Sequence, residues 1–381
     1  MAKRFLVSAC TAALVFLVMS CEVGEVIPPP PSAPPMSVPG PTPFLEYDPN
    51  PVPRGWENRP GRWELVWRDE FSGGTGDNFH NGLNLDNWTA DTGTGLQYGL
   101  QGWGNGERQY YSRANVRVEN GMLILEAGND GRGGMPFTSG KVTTGGNMSS
   151  ASYGSAYTPE RFSISEGFIE ARIRAPRGVG FWPAFWTLGT NVNRFGNGGE
   201  QAYRNWPYCG EIDIMEMRGG QEWRHTAAIH HGTSFRAPGH PDRRYWYRHS
   251  AVDVRTTGLP QGMDMASDFH VYGVRWDADS IDFYFNGLNW YSIDLNRLAG
   301  GDYANAASFV AATGQLINLN LAVGGGFIGG ATPQASLFAE NAPFENRSLM
   351  IDWVRVYRRV GDTPVIHVHG DRMPDNWVPA F

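Results

Sequence analysis

The sequence predicts an all-β protein, a single antiparallel β-sandwich over residues 61–360, and three observations carry that reading. Gly (49) and Pro (26) are abundant, aromatics reach 13% and charged residues only 18%, a balance that suits short strands and many turns. From residue 61 onward, β-branched and aromatic runs are separated by Gly, Asn and Asp turns. No stretch shows a helical period with caps, and no internal repeat is evident. A chain of 381 residues has room for two or three domains, yet sandwiches of more than about 200 residues fold as one unit.

Before the body come two segments of another character. In "MAKRFLVSACTAALVFLVMSC", Lys3 and Arg4 precede an apolar stretch that is short for a membrane span, so residues 1–20 read as an export signal. Ser20 directly before Cys21 resembles a lipobox, in which the cysteine is lipidated and becomes the first mature residue, although Met19 is not the usual neighbour. Plain cleavage is the alternative. Cys10 leaves with the signal and Cys209 stands alone in the body, so no disulfide framework or zinc set is possible. Residues 21–60 form a Pro-rich linker, a semi-rigid extended spacer. The formal charge of −7 and the lack of any Lys/Arg-rich run exclude nucleic acid and an anionic membrane surface as partners, leaving a neutral partner and membrane contact only through a lipid anchor.

Within the body, "MLILEA" (122–127), "GFIEARIRAP" (167–176), "EIDIMEM" (211–217), "FHVYGVRWD" (269–277), "SIDFYFNG" (280–287), "INLNLAVGG" (317–325) and "LMIDWVRVYRR" (349–359) all read as strands. Several alternate cleanly, as in "WVRVYRR", where Val354 and Val356 point one way and Arg355 and Tyr357 the other.

"GEIDIMEM" puts Glu211, Asp213 and Glu216 in one apolar run, which is costly unless the charges are partnered or one keeps its proton. On a regular strand Glu216 would fall on the face opposite Glu211 and Asp213. A bulge between Asp213 and Glu216 turns all three to one face. Side chains leaning inward would then bring the outer carboxyls to about 5 Å, where one can act as nucleophile and the other as acid and then base at a glycosidic carbon. On that reading Glu211 is the nucleophile, Glu216 the acid/base, and Asp213 tunes and orients the pair. A calcium site or a solvated strand face would use the same residues without chemistry.

"WPYCGEIDIME" (206–216) resembles the active-site signature of glycoside hydrolase family 16, in the bulged form of its laminarinase, endo-β-1,3-glucanase branch. "WELVWRDEFSG" (63–73), "WGNGERQYYS" (103–112), "GFIEARIRAPRGVGFWPAFWTLG" (167–189), "FHVYGVRWD", "LNLAVGG" and "IDWVRVYRR" agree with it in the expected order. The resemblance implies a curved, concanavalin-like jelly roll whose open concave face is a glycan cleft, retaining hydrolysis of β-1,3 or mixed β-1,3/1,4 glucan such as laminarin, and the three carboxylate roles above. No organic cofactor is implied, and a monomer is expected. A same-fold hydrolase of agar, porphyran or carrageenan is the first alternative, and a non-catalytic glucan-binding module the second.

A glucan cleft needs aromatic planes with polar groups beside them. Alternation puts Trp182 and Trp186 on one face and Phe181 and Phe185 on the other, and the family pattern makes the tryptophans cleft residues. Trp103 and Asn105 lie on a Gly-rich loop suited to reaching a ligand. Arg172 matches a position of the family that hydrogen-bonds sugar. A symmetric hairpin through "RGGQEW" (218–223) brings His230 opposite Glu211, where it would touch substrate or carboxylate. The family also implies a structural calcium ion at Glu70, Gly121 and Asp352, oxygen ligands of the kind calcium takes. Two stretches depart from the resemblance: residues 235–268, read as long and loop-like, and the tail 361–381, whose His367 and His369 read as incidental.

Overall fold

The structure is a computed structural model that describes residues 63–96, 100–146, 160–190, 210–232, 247–255, 264–295 and 314–368, with 231–232 and 247–255 given by backbone alone. The export signal, Cys21, the linker, Cys209 and His369 lie outside the described residues.

Among the described residues, two antiparallel sheets of eight and nine strands form the body. Across the first sheet the order is Leu288–Asp294, Ser280–Phe285, His270–Trp276, Gly167–Arg174, Ser348–Arg359, Met122–Glu126 and Val116–Glu119. Ser348–Arg359 is long enough to hold two strands end to end on one edge: Met122–Glu126 pairs with its first half, and Trp63–Asp69, the eighth strand, with its second. Gly167–Arg174 occupies the other edge.

The second sheet runs Tyr247–Arg255, Arg224–Gly232, Glu211–Glu216, Phe181–Gly189, Gln315–Val323, Phe162–Ile164 and Ile366–Val368. Lys141–Thr143 also pairs with Gln315–Val323 and in turn carries Thr89–Ala90. Residues 235–268 are therefore not wholly loop, because the free edge of Arg224–Gly232 gives Tyr247–Arg255 a backbone partner along its whole length. The segment read as a tail likewise contributes Ile366–Val368, which pairs with Phe162–Ile164.

Alternation decides which face is dry. Ile169, Ala171, Ile173, Val274, Val354 and Val356 of the first sheet and Phe181, Phe185, Ile212, Ile229, Ile317, Leu319 and Leu321 of the second meet in one buried core. The other face of the second sheet carries Trp182, Trp186, Asn318 and Asn320. Pro183 would weaken a central strand, since it lacks a donor. Here it stands opposite Leu321 on one side but, towards Glu211–Glu216, lies beyond the last paired residues, Ala184 opposite Glu216, where its carbonyl accepts from Met217 N at 3.2 Å.

One buried group makes this core sensitive to acid. His225 is 1% exposed, packed against Tyr272, Phe285 and Trp290 at centroid distances of 5.2, 5.2 and 5.3 Å. Neither ring nitrogen has a hydrogen-bond partner among the described residues. Burial, aided by neighbouring His270, pushes its pKa down to about 3. The folded state keeps this imidazole neutral, whereas the unfolded chain protonates it below its ordinary value of 6.5. The contribution to stability is thus complete above that pH and is lost progressively as pH falls towards 3. By pH 5 the loss amounts to about 2 kcal/mol. Thermal melts at pH 7 and pH 5 should show a drop in Tm that is smaller by a few degrees in His225→Phe than in the wild type.

Candidate active site

The strand Glu211–Glu216 contains the expected irregularity. Asp213 pairs with Ala228 and Glu216 with Thr226, so three steps on this strand oppose two on its neighbour. The other neighbour shows the same mismatch, with Phe185 opposite Met215 and Trp186 opposite Asp213. Ile214 and Met215 both enter the core, at 1% and 0% exposure. Glu216 is thereby returned to the face that Glu211 and Asp213 occupy.

Small neighbours leave room for these side chains. Ala184 stands beside Glu216 and Ala228 beside Asp213. His230 lies opposite Glu211, as the symmetric hairpin requires, with Nε2 at 3.1 Å from Asp213 Oδ2 and 3.7 Å from Glu211 Oε1. One ligand-type atom from each of Glu211, Asp213 and His230 fits within a 4.8 Å cluster. An imidazole in that set departs from the all-oxygen shell calcium prefers.

Burial acts in the same direction on two of the carboxylates. Asp213, 5% exposed, has its pKa raised by burial. Glu216 is also raised, first by burial and then by the negative charge of Asp213, against the opposing effects of the Trp182 hydrogen bond, His230 and Arg218. Like charges this close cannot both ionise easily, so the pair retains a proton near neutral pH. A proton-bearing carboxyl beside further carboxylates on one open face is the equipment of acid-assisted displacement.

Trp182 proves to be less a platform than a brace. Its Nε1 donates to Glu216 Oε1 at 2.8 Å, and its ring stacks on Phe327 with centroids 4.9 Å apart. The Arg218 guanidinium covers that phenyl ring at 3.8 Å, and Arg218 Nε donates to the Phe327 carbonyl. Gly325 lets the loop come this close, because with φ +97 any Cβ there would be strained and would lie 3.0 Å from the Trp182 ring. Trp186 keeps a partly exposed ring and donates from Nε1 to Asn320 Oδ1 at 2.7 Å.

The other expected residues divide. Asn105 is exposed and donates to Glu107 Oε1 at 3.1 Å. Trp103 is 8% exposed and packs edge-on against Tyr111, so its Gly-rich loop folds it inward instead of presenting it to ligand. Arg172 does not join the site. It sits in the first sheet, paired with Asp352 and over the Phe269 ring at 4.6 Å, because alternation fixes a strand's face but not the sheet to which the strand belongs. The calcium set is similarly engaged. Register brings the end of Trp63–Asp69 and the start of Met122–Glu126 to the same part of Ser348–Arg359, but Glu70 is held by Arg355 at 2.8 and 3.0 Å and Asp352 by Arg172. An ion there would have to take both carboxylates from their guanidinium partners. Cys21 lies outside the described residues.

Sequence reading passed over Glu107, Tyr111 and Asn320, which join Trp186 in one hydrogen-bonded group. A signal was present in the two asparagines that interrupt the apolar run "LINLNLAV" on the cleft side.

Comparison with known proteins places the chain among named relatives. The family model for "Glycosyl hydrolases family 16" matches residues 107–316. Glucan endo-1,3-beta-glucosidase A1 of Niallia circulans is 30% identical over 77% of this chain, and the chain spans only 38% of that protein. Beta-glucanase of Rhodothermus marinus is 33% identical over 78% of this chain and 86% of its own length. The catalytic domain of an endo-1,3-beta-glucanase (laminarinase) from Thermotoga petrophila superposes with a TM-score of 0.59 at 31% identity, over 79% of this chain and 99% of that one. With the matched segment covering more than half of its residues, the chain belongs to glycosyl hydrolase family 16.

Proposed function

We propose that the protein is a retaining endo-glycosidase that hydrolyses β-1,3 or mixed β-1,3/1,4 glucan. The observation that carries this reading is the bulge, which sets three carboxylates on one face and leaves Glu216 in surroundings that favour its protonated form. The names of the relatives support a glucan as the substrate.

In the proposed cycle the Glu211 carboxylate attacks the anomeric carbon while Glu216 passes its proton to the departing glycosidic oxygen, and a covalent glycosyl ester on Glu211 results. Glu216, now ionised, then removes a proton from water as that water displaces Glu211. The second inversion restores the original anomer. Asp213 keeps the pair short of full ionisation, His230 lies with its Nε2 within hydrogen-bond reach of Asp213 Oδ2, and Trp182 holds Glu216 by its Oε1. We further propose that the domain works outside the cell membrane on a lipid anchor at Cys21, a reading supported by the signal-like N-terminus and the Pro-rich spacer.

Product analysis on laminarin, mixed-linkage glucan and agarose tests the assignment. Laminarin should release oligosaccharides whose first-formed anomer, followed by proton NMR, is retained. Glu216→Gln should lower kcat by about 10²–10⁴-fold, and Glu211→Gln should abolish turnover. Binding of glucan without any product would favour the binding module, and cleavage of agarose alone would refute the substrate.

A pH–rate profile makes a second test. Trp182 stabilises the ionised form of Glu216, so Trp182→Phe should raise the pKa of the acid further. The basic limb of kcat should therefore move to higher pH while kcat itself falls. A limb that stays in place or moves down would refute the pairing.

A further inference from the structure

Beneath the cleft face lies a buried carboxylate that the proposed mechanism does not use. Glu107 is 7% exposed and receives three hydrogen bonds: Asn105 Nδ2 to Oε1 at 3.1 Å, Gln109 Nε2 to Oε2 at 2.5 Å and Tyr111 O–H to Oε2 at 3.2 Å. Asn320 Nδ2 donates to the Tyr111 oxygen at 3.2 Å, and Asn320 Oδ1 accepts from Trp186 Nε1 at 2.7 Å. Tyr111 and Asn320 are 1% and 7% exposed.

Each link in this chain has one allowed polarity. An indole N–H only donates, so the Asn320 carbonyl must face Trp186 and its amide nitrogen must face Tyr111. A phenol that accepts there turns its own proton outward, and the group that receives it must be an acceptor. Gln109 is locked in the same sense, because its Oε1 already accepts from Val323 N at 2.8 Å and its NH2 is left for Glu107. Burial raises the Glu107 pKa, and the hydrogen bonds from Asn105, Gln109 and Tyr111 together with the charge of Lys141 oppose that rise; a carboxyl group offers acceptor sites enough for all three donors. Lys141 supplies the nearby positive charge, with Nζ 3.5 Å from Asp91 Oδ2, 4.1 Å from the Trp103 ring centroid and 5.5 Å from that of Trp186.

The two ends of the chain are the ones that matter to a ligand. Trp186 pairs across the sheet with Asp213, so its ring stands one strand from the carboxylates. Asn105 is exposed on the neighbouring loop. We propose that Glu107 is a positioning residue for glycan binding, which through Tyr111 and Asn320 sets the angle of the Trp186 ring and through Asn105 sets the loop beside it. This rests on the glucan-hydrolase reading, since the ring is taken to stack on sugar. The carboxylate touches no substrate and acts only through residues that do.

A double-mutant cycle between Tyr111→Phe and Trp186→Phe tests the coupling. Tyr111→Phe keeps the ring that packs on Trp103 and removes only the hydroxyl. KM and kcat would be measured on a laminarin oligosaccharide, and Kd by calorimetry in a Glu216→Gln background that does not turn over. Tyr111→Phe should raise KM and Kd by about three- to tenfold, the range of one hydrogen bond, with kcat changed less than about twofold. In the Trp186→Phe background the same change should have no further effect on Kd, because no indole N–H remains to be held. Glu107→Gln, equal in shape but with an NH2 in place of one oxygen that now meets donors, should reproduce the Tyr111→Phe effect. Effects that multiply in the double variant, or a lowered Tm with Kd unchanged, would overturn the proposal while leaving the hydrolase reading intact. A wild type that neither binds nor cleaves β-glucan would remove both.

Discussion

The site depends on a mismatch of one residue. A strand repeats every two residues, and a chain that needs three carboxylates on one face and an apolar core on the other cannot satisfy both with a regular count over Glu211–Glu216. Placing Ile214 and Met215 side by side in the core resolves the conflict, and both neighbouring strands register the shift. The cost is a locally broken ladder. The gain is that Glu216 and Asp213 come close enough for each to affect the other's proton.

From that arrangement the surroundings follow as means of support. Ala184 beside Glu216 and Ala228 beside Asp213 leave those two acids room on their face. Trp182, Phe327 and Arg218 then form a stack that ends in a single hydrogen bond to Glu216. The cleft face therefore holds its aromatic rings by their polar edges, with one nitrogen directed at Glu216 and another, on Trp186, at Asn320.

Much of this was legible in the sequence where a local rule was at work. Alternation separated Phe181 and Phe185 from Trp182 and Trp186, the need to gather three acids required the bulge, and the turn length set His230 against Glu211. Legibility ended where the deciding partner was remote. Arg172 obeys the alternation of its own strand, but which sheet that strand joins depends on pairings with His270–Trp276 and Ser348–Arg359. Trp103 looked exposed on a glycine-rich loop because nothing local announces Tyr111 as its packing partner. Glu107 and Asn320 meet only through Tyr111, and no period links positions so far apart in the chain. The strand Tyr247–Arg255 was hidden for a related reason, since an edge strand takes its order from the neighbour it extends.

The double edge of Ser348–Arg359 has a consequence for how the molecule is made. Trp63–Asp69, the first described strand, finds its strand partner in residues 354–359, and Met122–Glu126, already paired on one side with Val116–Glu119, finds its second partner in 348–351. On a growing chain both edges wait for almost the whole body to be synthesised, on the order of 15–60 s at ordinary rates of elongation. During that interval the edge that each will present to Ser348–Arg359 has no native partner. The fold therefore closes when Ser348–Arg359 joins segments made long before it.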